Sequence, residues 1–505
     1  MRRFATITLH PLGKTLAATR GASLRTLLHP FGVEFPCGGH GRCGACRVQL
    51  LAGHLAVTDD EAVILPPGEL AAGWRLACRA TVDGDVTLEV GQWDTVILAD
   101  HSPFDFTPRA GHGVAIDLGT TTVVAQLVDL ATGHVRGVAT AVNPQTIHGS
   151  DIMSRLHVAL HRDQREAIVR ETRHGVGQLL RRLLRSADLA ELRIDDVVIA
   201  GNTVMHHLFC DADVTPLSRL PFQSPDDGLR SFRAIDLGWQ LRGDPPVSFL
   251  PCLGGLVGSD VLCGVLATRM HERAEPIVLL DLGTNGEIVV GNRERILCAS
   301  TAAGPAFEGG RITMGMRATT GAISEVWIDE GRLRCRVLGD VLPRGLCGSG
   351  LVDAVAAGLA LGRIAPNGRL VDGGQPLELA PPVRLTQQDI RELQLAKAAI
   401  AAGVGLLRAR FGGAAAVDPR LYLAGAFGNY VSRSSARRIG LIDAAEDRIE
   451  PAGNTALLGA KMALFTAPED RDFRAIRARV EHVALASLPT FQDTFIDATT
   501  FPACL

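Results

Sequence analysis

Along the 505 residues the spacing of apolar positions changes character near residue 100. From Phe4 to Leu9 apolar and polar side chains alternate, the period of a half-buried strand. Ser23 is placed to open a short helix through Leu27 and Leu28. Arg47-Val48-Gln49-Leu50 and Val86-Thr87-Leu88-Glu89-Val90 read as further strands, so residues 1–95 predict a small β-rich unit. A polar passage with Pro103, Pro108 and Gly113 follows, with linker composition over 96–111. Beyond it, apolar strands alternate with amphipathic helices, the texture of an α/β domain.

That second region contains an echo. Val114-Ala115-Ile116-Asp117-Leu118-Gly119-Thr120-Thr121-Thr122 returns as Val278-Leu279-Leu280-Asp281-Leu282-Gly283-Thr284-Asn285-Gly286. Each copy is an apolar strand that ends in Asp and turns on Gly-Thr, so the pattern predicts a duplicated fold with pseudo-twofold halves over 112–275 and 276–470, and a C-terminal extension over 471–505. Thr386 and Asp389 are spaced as a capping box for a helix through Ile390, Leu393, Ile400 and Leu407.

Bulk properties narrow the function classes. Hydrophobic residues are 47% of the chain and charged residues 21%, which describes a globular protein with ample core material. The net charge of −3 supplies no basic surface for nucleic acid. No run approaches the ~18 apolar residues of a membrane span, and the N-terminus lacks the apolar core of a signal peptide. Four of the eleven cysteines lie in the first eighty residues and the others are scattered, which excludes a disulfide framework and predicts a cytoplasmic location.

Those four cysteines form a pattern: Cys37-Gly38-Gly39-His40-Gly41-Arg42-Cys43-Gly44-Ala45-Cys46, then Cys78. Three thiolates from one loop and a fourth from a distant position is a known way to hold a 2Fe-2S cluster. The glycines let the loop wrap the cluster with its N–H groups aimed at sulfur. A zinc ribbon needs two close cysteine pairs, and only Cys43 and Cys46 form one. His40 and Arg42 are candidates for a docking face beside the cluster. The segment 1–95 resembles the ferredoxins, with five rather than four residues between the first two cysteines; the fold implied is the β-grasp.

Asp117 and Asp281 can hold Mg²⁺, directly or through water, while the N–H groups and hydroxyls of the turns bind phosphate oxygens. A third element, Leu421-Tyr422-Leu423-Ala424-Gly425-Ala426-Phe427-Gly428-Asn429, is another strand ending in a glycine turn, suited to close approach by an adenosine. None of the three lysines, Lys14, Lys397 and Lys461, completes a Gly-x-x-x-x-Gly-Lys-Ser/Thr phosphate loop, and no Gly-x-Gly-x-x-Gly follows a strand. Flavin and nicotinamide motifs are missing, so electrons for the cluster must come from another protein.

Residues 112–465 resemble the superfamily of acetate and sugar kinases, heat-shock ATPases and actin, whose fold is ribonuclease H-like. Within it the chain is similar to the ATP-dependent reductive activators of corrinoid proteins. The matching segments are Gly201-Asn202-Thr203-Val204-Met205-His206-His207, Asp281 to Glu287, Ala303-Gly304-Pro305-Ala306-Phe307-Glu308-Gly309-Gly310, Cys347-Gly348-Ser349-Gly350 and Ala424 to Asn429. The resemblance implies one-electron reduction of a cobalt(II) corrinoid protein to the methyl-accepting cobalt(I) state, with a 2Fe-2S cluster, ATP and Mg²⁺ as cofactors. An external reductase or ferredoxin would be the donor, and relatives are often homodimers. Plant-type clusters lie near roughly −400 mV, and a further gap of about 200 mV corresponds to roughly 4.6 kcal/mol for one electron, within reach of nucleotide-driven work.

In that reading Asp117 and Asp281 position Mg²⁺ and water, and Glu287 and Glu308 are the candidates to orient the attacking water. Gly119, Thr120, Thr121, Thr122, Gly283, Thr284, Asn285 and Gly286 form the phosphate turns. Asn202 and Gly304 line the cleft, Gly425 and Gly428 contact the adenosine, and Cys37, Cys43, Cys46 and Cys78 hold the cluster. His206 and His207, adjacent on regular structure, point in different directions and read as core or surface histidines rather than ligands. Two other classes stay open: a small-molecule kinase with a regulatory iron–sulfur domain, for which Asp260 could supply the catalytic carboxylate, and a non-enzymatic redox sensor. Some relatives carry a longer linker and an extra domain; here about fifteen residues separate cluster unit and ATPase.

Overall fold

The computed structural model describes residues 4–10, 14–28, 33, 46–65, 67–90, 104–149, 151–184, 192–220, 222–283, 285–319, 321–413 and 419–503. Cys37, His40, Arg42, Cys43 and Thr284 fall outside these residues.

The N-terminal unit is built on one five-stranded sheet of β1 (Phe4–His10), β2 (Lys14–Thr19), β3 (Arg47–Ala52), β4 (Trp74–Leu76) and β5 (Val86–Val90), in the order β2-β1-β5-β3-β4. The alternation in β1 is real: Ala5, Ile7 and Leu9 are buried while Phe4 and Thr6 are exposed. Helix α1 (Leu24–Leu28) buries Leu24 and Leu28 against this sheet.

The first half of the ATPase region forms a six-stranded sheet. Its strands are β6 (His112–Leu118), β7 (Thr122–Asp129), β8 (Val135–Val142), β9 (Asp196–Gly201), β10 (Arg230–Arg233) and β11 (Pro246–Phe249), ordered β8-β7-β6-β9-β11-β10. Helices α2 (Arg162–Leu183), α3 (Thr203–Cys210) and α4 (Ser259–Ala267) accompany it. The second half repeats the plan with β12 (Ile277–Leu282), β13 (Gly286–Gly291) and β14 (Ile296–Thr301). An inserted three-stranded sheet follows: β15 (Ala322–Asp329), β16 (Arg332–Val337) and β17 (Gly345–Leu346). Then come α5 (Gly348–Ala360), α6 (Gln387–Phe411), β18 (Arg420–Ala424), α7 (Gly425–Tyr430), β19 (Ile449–Gly453), α8 (Thr455–Ala463) and β20 (Val480–His482). The second main sheet runs β19-β18-β12-β13-β14-β20.

The two halves share more than strand order. In each, three antiparallel strands (β6-β7-β8 and β12-β13-β14) are continued by two parallel ones (β9 and β11, β18 and β19). The duplication inferred from the repeated Asp-Leu-Gly-Thr is therefore a duplication of topology. The expected capping box is present: Thr386 accepts from the Asp389 N–H, the Asp389 carboxylate accepts from the Thr386 N–H, and α6 buries Ile390, Leu393, Ile400 and Leu407.

Between the halves, α4 and α8 pack closely where each carries a glycine. A Cβ on Gly459 would lie 2.4 Å from the Cα of Cys263, and one on Gly264 would lie 2.6 Å from Leu279. Behind this crossing a buried ion pair joins distant segments: Arg471, fully buried, donates to both Asp196 oxygens, at 2.9 and 2.5 Å, and to Ser248 Oγ. Residues 471–503 pack into the ATPase region. Lys397 of α6 donates to the Thr500 carbonyl at 2.7 Å and sits over the buried Phe501 ring.

Gly459→Ala should lower the thermal midpoint, by the equivalent of about 1–3 kcal/mol for an overpacked helix crossing; an unchanged melting curve would show that the two helices have room to separate.

Candidate functional site

A cavity of about 310 Å³ opens between the halves, lined from the first by Asp117, Gly119, Thr120, Thr121, Thr122, Asn202 and Asp260, and from the second by Asp281, Gly283, Asn285, Glu287, Glu308 and Gly425. The walls are strand ends and the turns that follow them. Gly119 N–H donates to the Thr122 carbonyl at 3.1 Å, and Gly283 N–H to the Asn285 carbonyl at 3.0 Å, so both repeats close into a tight turn, the second closing one residue sooner than the first. Asn202 caps α3 by accepting from Met205 N–H at 3.0 Å and uses its amide to donate to Thr120 Oγ1 at 2.8 Å. Gly425, with φ +80°, is a required glycine: a Cβ would sit 2.7 Å from Asp281 Oδ1 and 2.9 Å from the Leu282 carbonyl.

Five carboxyl groups line this space, and four of them, Asp117, Asp260, Asp281 and Glu287, are pushed above their ordinary values. Asp281 and Glu287 are directly opposite each other across the β12–β13 pair, an arrangement that sets like charges side by side. Burial pushes Asp117 up to about 6 against one hydrogen bond from Asn454. Asp281 rises to about 7 from burial and the neighbouring Asp117 charge. Asp260 rises to about 8 from burial, then from Asp281. Glu287 is also raised well above its ordinary value, by burial and by Asp260 and Asp281. Such crowding of acids calls for a cation. Among the described residues no three Asp, Glu, His or Cys side chains converge as a ready-made metal cage. Carboxylates at strand ends beside turn N–H groups and hydroxyls are a donor set of the kind Mg²⁺ takes, with waters and phosphate oxygens alongside one or two carboxylates.

Three expected contacts do not reach the cavity wall. Gly286 is next to Glu287 on a strand, so it faces the opposite side, where a Cβ would meet Ile400 and Thr301. Gly428 turns back onto Leu423 of β18. Gly304, at φ +77°, starts the turn that carries Phe307 and Glu308 to the cavity without lining it.

Other groups do reach it that were read differently or not at all. Asp260, considered only as a kinase carboxylate, lies among the four acids. Asn454 caps α8 by accepting from Leu457 N–H and donates to Asp117 Oδ2 at 2.9 Å, crossing from the second half to the first. Its signal was present, since Gly453-Asn454-Thr455 repeats Gly201-Asn202-Thr203 at another strand-to-helix turn. Met316 to Thr319, Cys347 to Ser349, Phe427 and Tyr430 complete the walls.

In the N-terminal unit, Cys46 is buried and Cys78 half-buried, and the Ala77 N–H donates to the Cys46 carbonyl at 2.9 Å, which holds these two cysteines on adjacent backbone. Of the two places left open for them, core and surface, His206 and His207 occupy the core. His206 Nε2 pairs with the Gly228 carbonyl, and His207 bridges the Thr203 carbonyl and Ser224 Oγ. Burial drives the His206 imidazole down to about 3, so it stays neutral.

Fold and cleft together define an ATPase of the acetate and sugar kinase, heat-shock and actin class, joined to a ferredoxin-type unit. Residues 7–83 match the 2Fe-2S iron-sulfur cluster binding domain, 112–273 the RACo middle region, and 275–504 the C-terminal domain of RACo, the ASKHA domain. The chain is 34% identical over 445 residues to the corrinoid activation enzyme RamQ of Eubacterium limosum, covering 80% of this chain and 74% of that one. It is 27% identical to the [Co(II) methylated amine-specific corrinoid protein] reductase of Methanosarcina barkeri, covering 76% of each. The solved reductive activator for corrinoid, iron-sulfur protein superposes with a TM-score of 0.69 at 26% identity, over 99% of this chain and 98% of the other. The chain belongs to the family of reductive activators of corrinoid proteins.

Two outcomes test the electrostatics of the cleft. Because the raised acids bind more protons in the folded than in the unfolded chain, cation-free protein should lose stability as pH rises from about 4 through about 8. Mg²⁺ with nucleotide should raise the melting temperature more at pH 8 than at pH 5, and Asp260→Asn should flatten the pH slope. Asn454→Ala, which removes the one amide on Asp117, should reduce ATP turnover about tenfold or more while far-UV circular dichroism stays unchanged; wild-type turnover would remove Asn454 from the site.

Proposed function

We propose that this protein reduces an inactive cobalt(II) corrinoid protein to cobalt(I) by one electron, with ATP hydrolysis driving the transfer. The observation that carries the reading is the pairing, in one chain, of a cleft crowded with carboxylates between duplicated halves and a unit with the cysteine spacing of a ferredoxin. The likeness to two corrinoid-activating relatives, over about three quarters or more of this chain, supports the choice of acceptor.

Asp117 and Asp281 hold the Mg²⁺ that accompanies ATP; the cation, when bound, neutralises the phosphate charge and the carboxylates at once. Thr120, Thr121, Thr284 and Asn285 contact phosphate oxygens. Asp260, Glu287 and Glu308 face the same space, and one of them orients the attacking water by accepting its proton or a hydrogen bond from it. Phe307, Phe427 and Tyr430 supply apolar surface for the base. Cys37, Cys43, Cys46 and Cys78 hold a 2Fe-2S cluster, which supplies one-electron storage at low potential. Electrons enter from an external reductase or ferredoxin, in a cytoplasmic, homodimeric protein. No helix among the described residues is long and apolar enough to cross a membrane.

The test mixes reconstituted protein, an oxidised corrinoid protein, a chemical reductant and Mg-ATP. Cobalt(I) absorbance should grow only with ATP present, and should vanish with Asp281→Asn or Cys46→Ser. ATP-dependent phosphorylation of a small molecule without cobalt(I) formation would instead support a kinase using Asp260.

A further inference from the structure

Among the described residues, polar contacts of the N-terminal unit reach both halves of the ATPase. On one side Arg25 of α1 donates to the carbonyl of Ile147, in the short turn Pro144–His148 of the first half. On the other, Glu89 of β5 forms an ion pair with Arg344 of the second half at 2.5 Å, with both side chains about one-third exposed.

Both contacts lie a few residues from the cleft. The cap of the Pro144–His148 turn is Asn143, fully buried. Its N–H donates to the Thr121 carbonyl and its amide to the Gly119 carbonyl, each at 2.8 Å, so this turn is bolted to the first phosphate turn. The turn is stiff as well: Gln145 is held by Thr172, and Arg155 donates to the Gly149 carbonyl. On the opposite side Arg344 immediately precedes β17, and Cys347 to Ser349, just beyond that strand, form cavity wall. The connecting segment is anchored too. Phe104 and Phe106 stack on Phe465, just past the end of α8, the helix whose cap Asn454 bonds Asp117.

A rigid unit fastened to two bodies cannot keep both fastenings when those bodies rotate toward each other. We propose that Arg25 and the Glu89–Arg344 pair are positioning residues that make the placement of the cluster unit depend on nucleotide: closure around ATP breaks the Glu89–Arg344 pair, and the unit travels with the first half through Arg25. This rests on the reading of the cleft as an ATP site. The asymmetry follows from the surroundings. The Arg25 contact ends on a partly buried turn braced by Asn143, Gln145 and Arg155, whereas an exposed ion pair is worth only about 0–1 kcal/mol and is easily given up. Release of the unit from the second half changes which of its faces is free to meet an acceptor. By linkage, a contact that ATP must break opposes ATP binding by the same factor.

The experiment measures affinity for a non-hydrolysable ATP analogue by calorimetry, on full-length protein with the cluster intact by electron paramagnetic resonance. Arg344→Ala and Glu89→Ala should each tighten binding about two- to fivefold, the range an exposed pair allows. The double variant should tighten it no further, and Glu89→Arg combined with Arg344→Glu should restore the wild-type value. Hydrogen exchange in 86–90 should increase on adding the analogue, while that in 144–148 should not. Arg25→Ala should hydrolyse ATP but lose ATP-stimulated electron delivery. Unchanged or weaker affinity in the two single variants, or additive gains in the double, overturns the proposal. Because the affinity and hydrogen-exchange readouts need no corrinoid protein, their failure is distinct from a failure of wild-type protein to form cobalt(I).

Discussion

Asp117, Asp260, Asp281 and Glu287 stand in one cleft, where burial raises all four and the charge of neighbouring acids raises Asp260, Asp281 and Glu287 further. Much of the structure follows from that constraint. Isolated carboxylates out of water are costly unless paired or bound to metal, so the cleft is stable when it holds protons or a cation. A divalent cation carrying phosphates satisfies the acids and brings in the substrate with the same stroke. The acids thus sacrifice stability in the empty protein to create a site that discriminates strongly between empty and loaded states.

The second consequence concerns movement. The acids are contributed by both halves, and the halves meet at the α4–α8 crossing, where Gly264 and Gly459 let the two helices approach closely. Binding energy at the acids therefore acts across a joint. Asp117 of the first half is already reached by Asn454 of the second, and Asp260 at the start of α4 faces Asp281. The duplicated topology makes these crossings look like exchanges between equivalent positions. The chemistry breaks the symmetry: Glu287 faces Asp281 across its strand pair, while Val124 occupies the matching place opposite Asp117. The acidic side of the cleft is thus weighted toward the second half.

The cysteine unit sits on both sides of this joint rather than hanging from a free tether. The short connection between it and the ATPase, which distinguishes this chain from longer-linked relatives, is fastened by Phe104 and Phe106 against Phe465. Energy released in the cleft has a mechanical route to the unit that carries the electron.

The sequence alone determined the strands, turns and caps that depend on near neighbours. Alternation in β1, the two Asp-Leu-Gly-Thr turns and the Thr386–Asp389 box are local patterns, and they formed where they were written. The duplication was legible because both turns repeat the same short-range chemistry, and the glycine-rich cysteine spacing is likewise a property of consecutive residues. Which of the named residues meet was decided elsewhere. Gly286 and Glu287 are neighbours in the chain yet face opposite sides of a strand, so only register placed one in the cleft and the other against Ile400. Asp260 and Asn454 begin helices whose arrival at the cleft depends on how α4 and α8 cross. That crossing is set by packing between segments nearly two hundred residues apart, and no local pattern encodes such a distance.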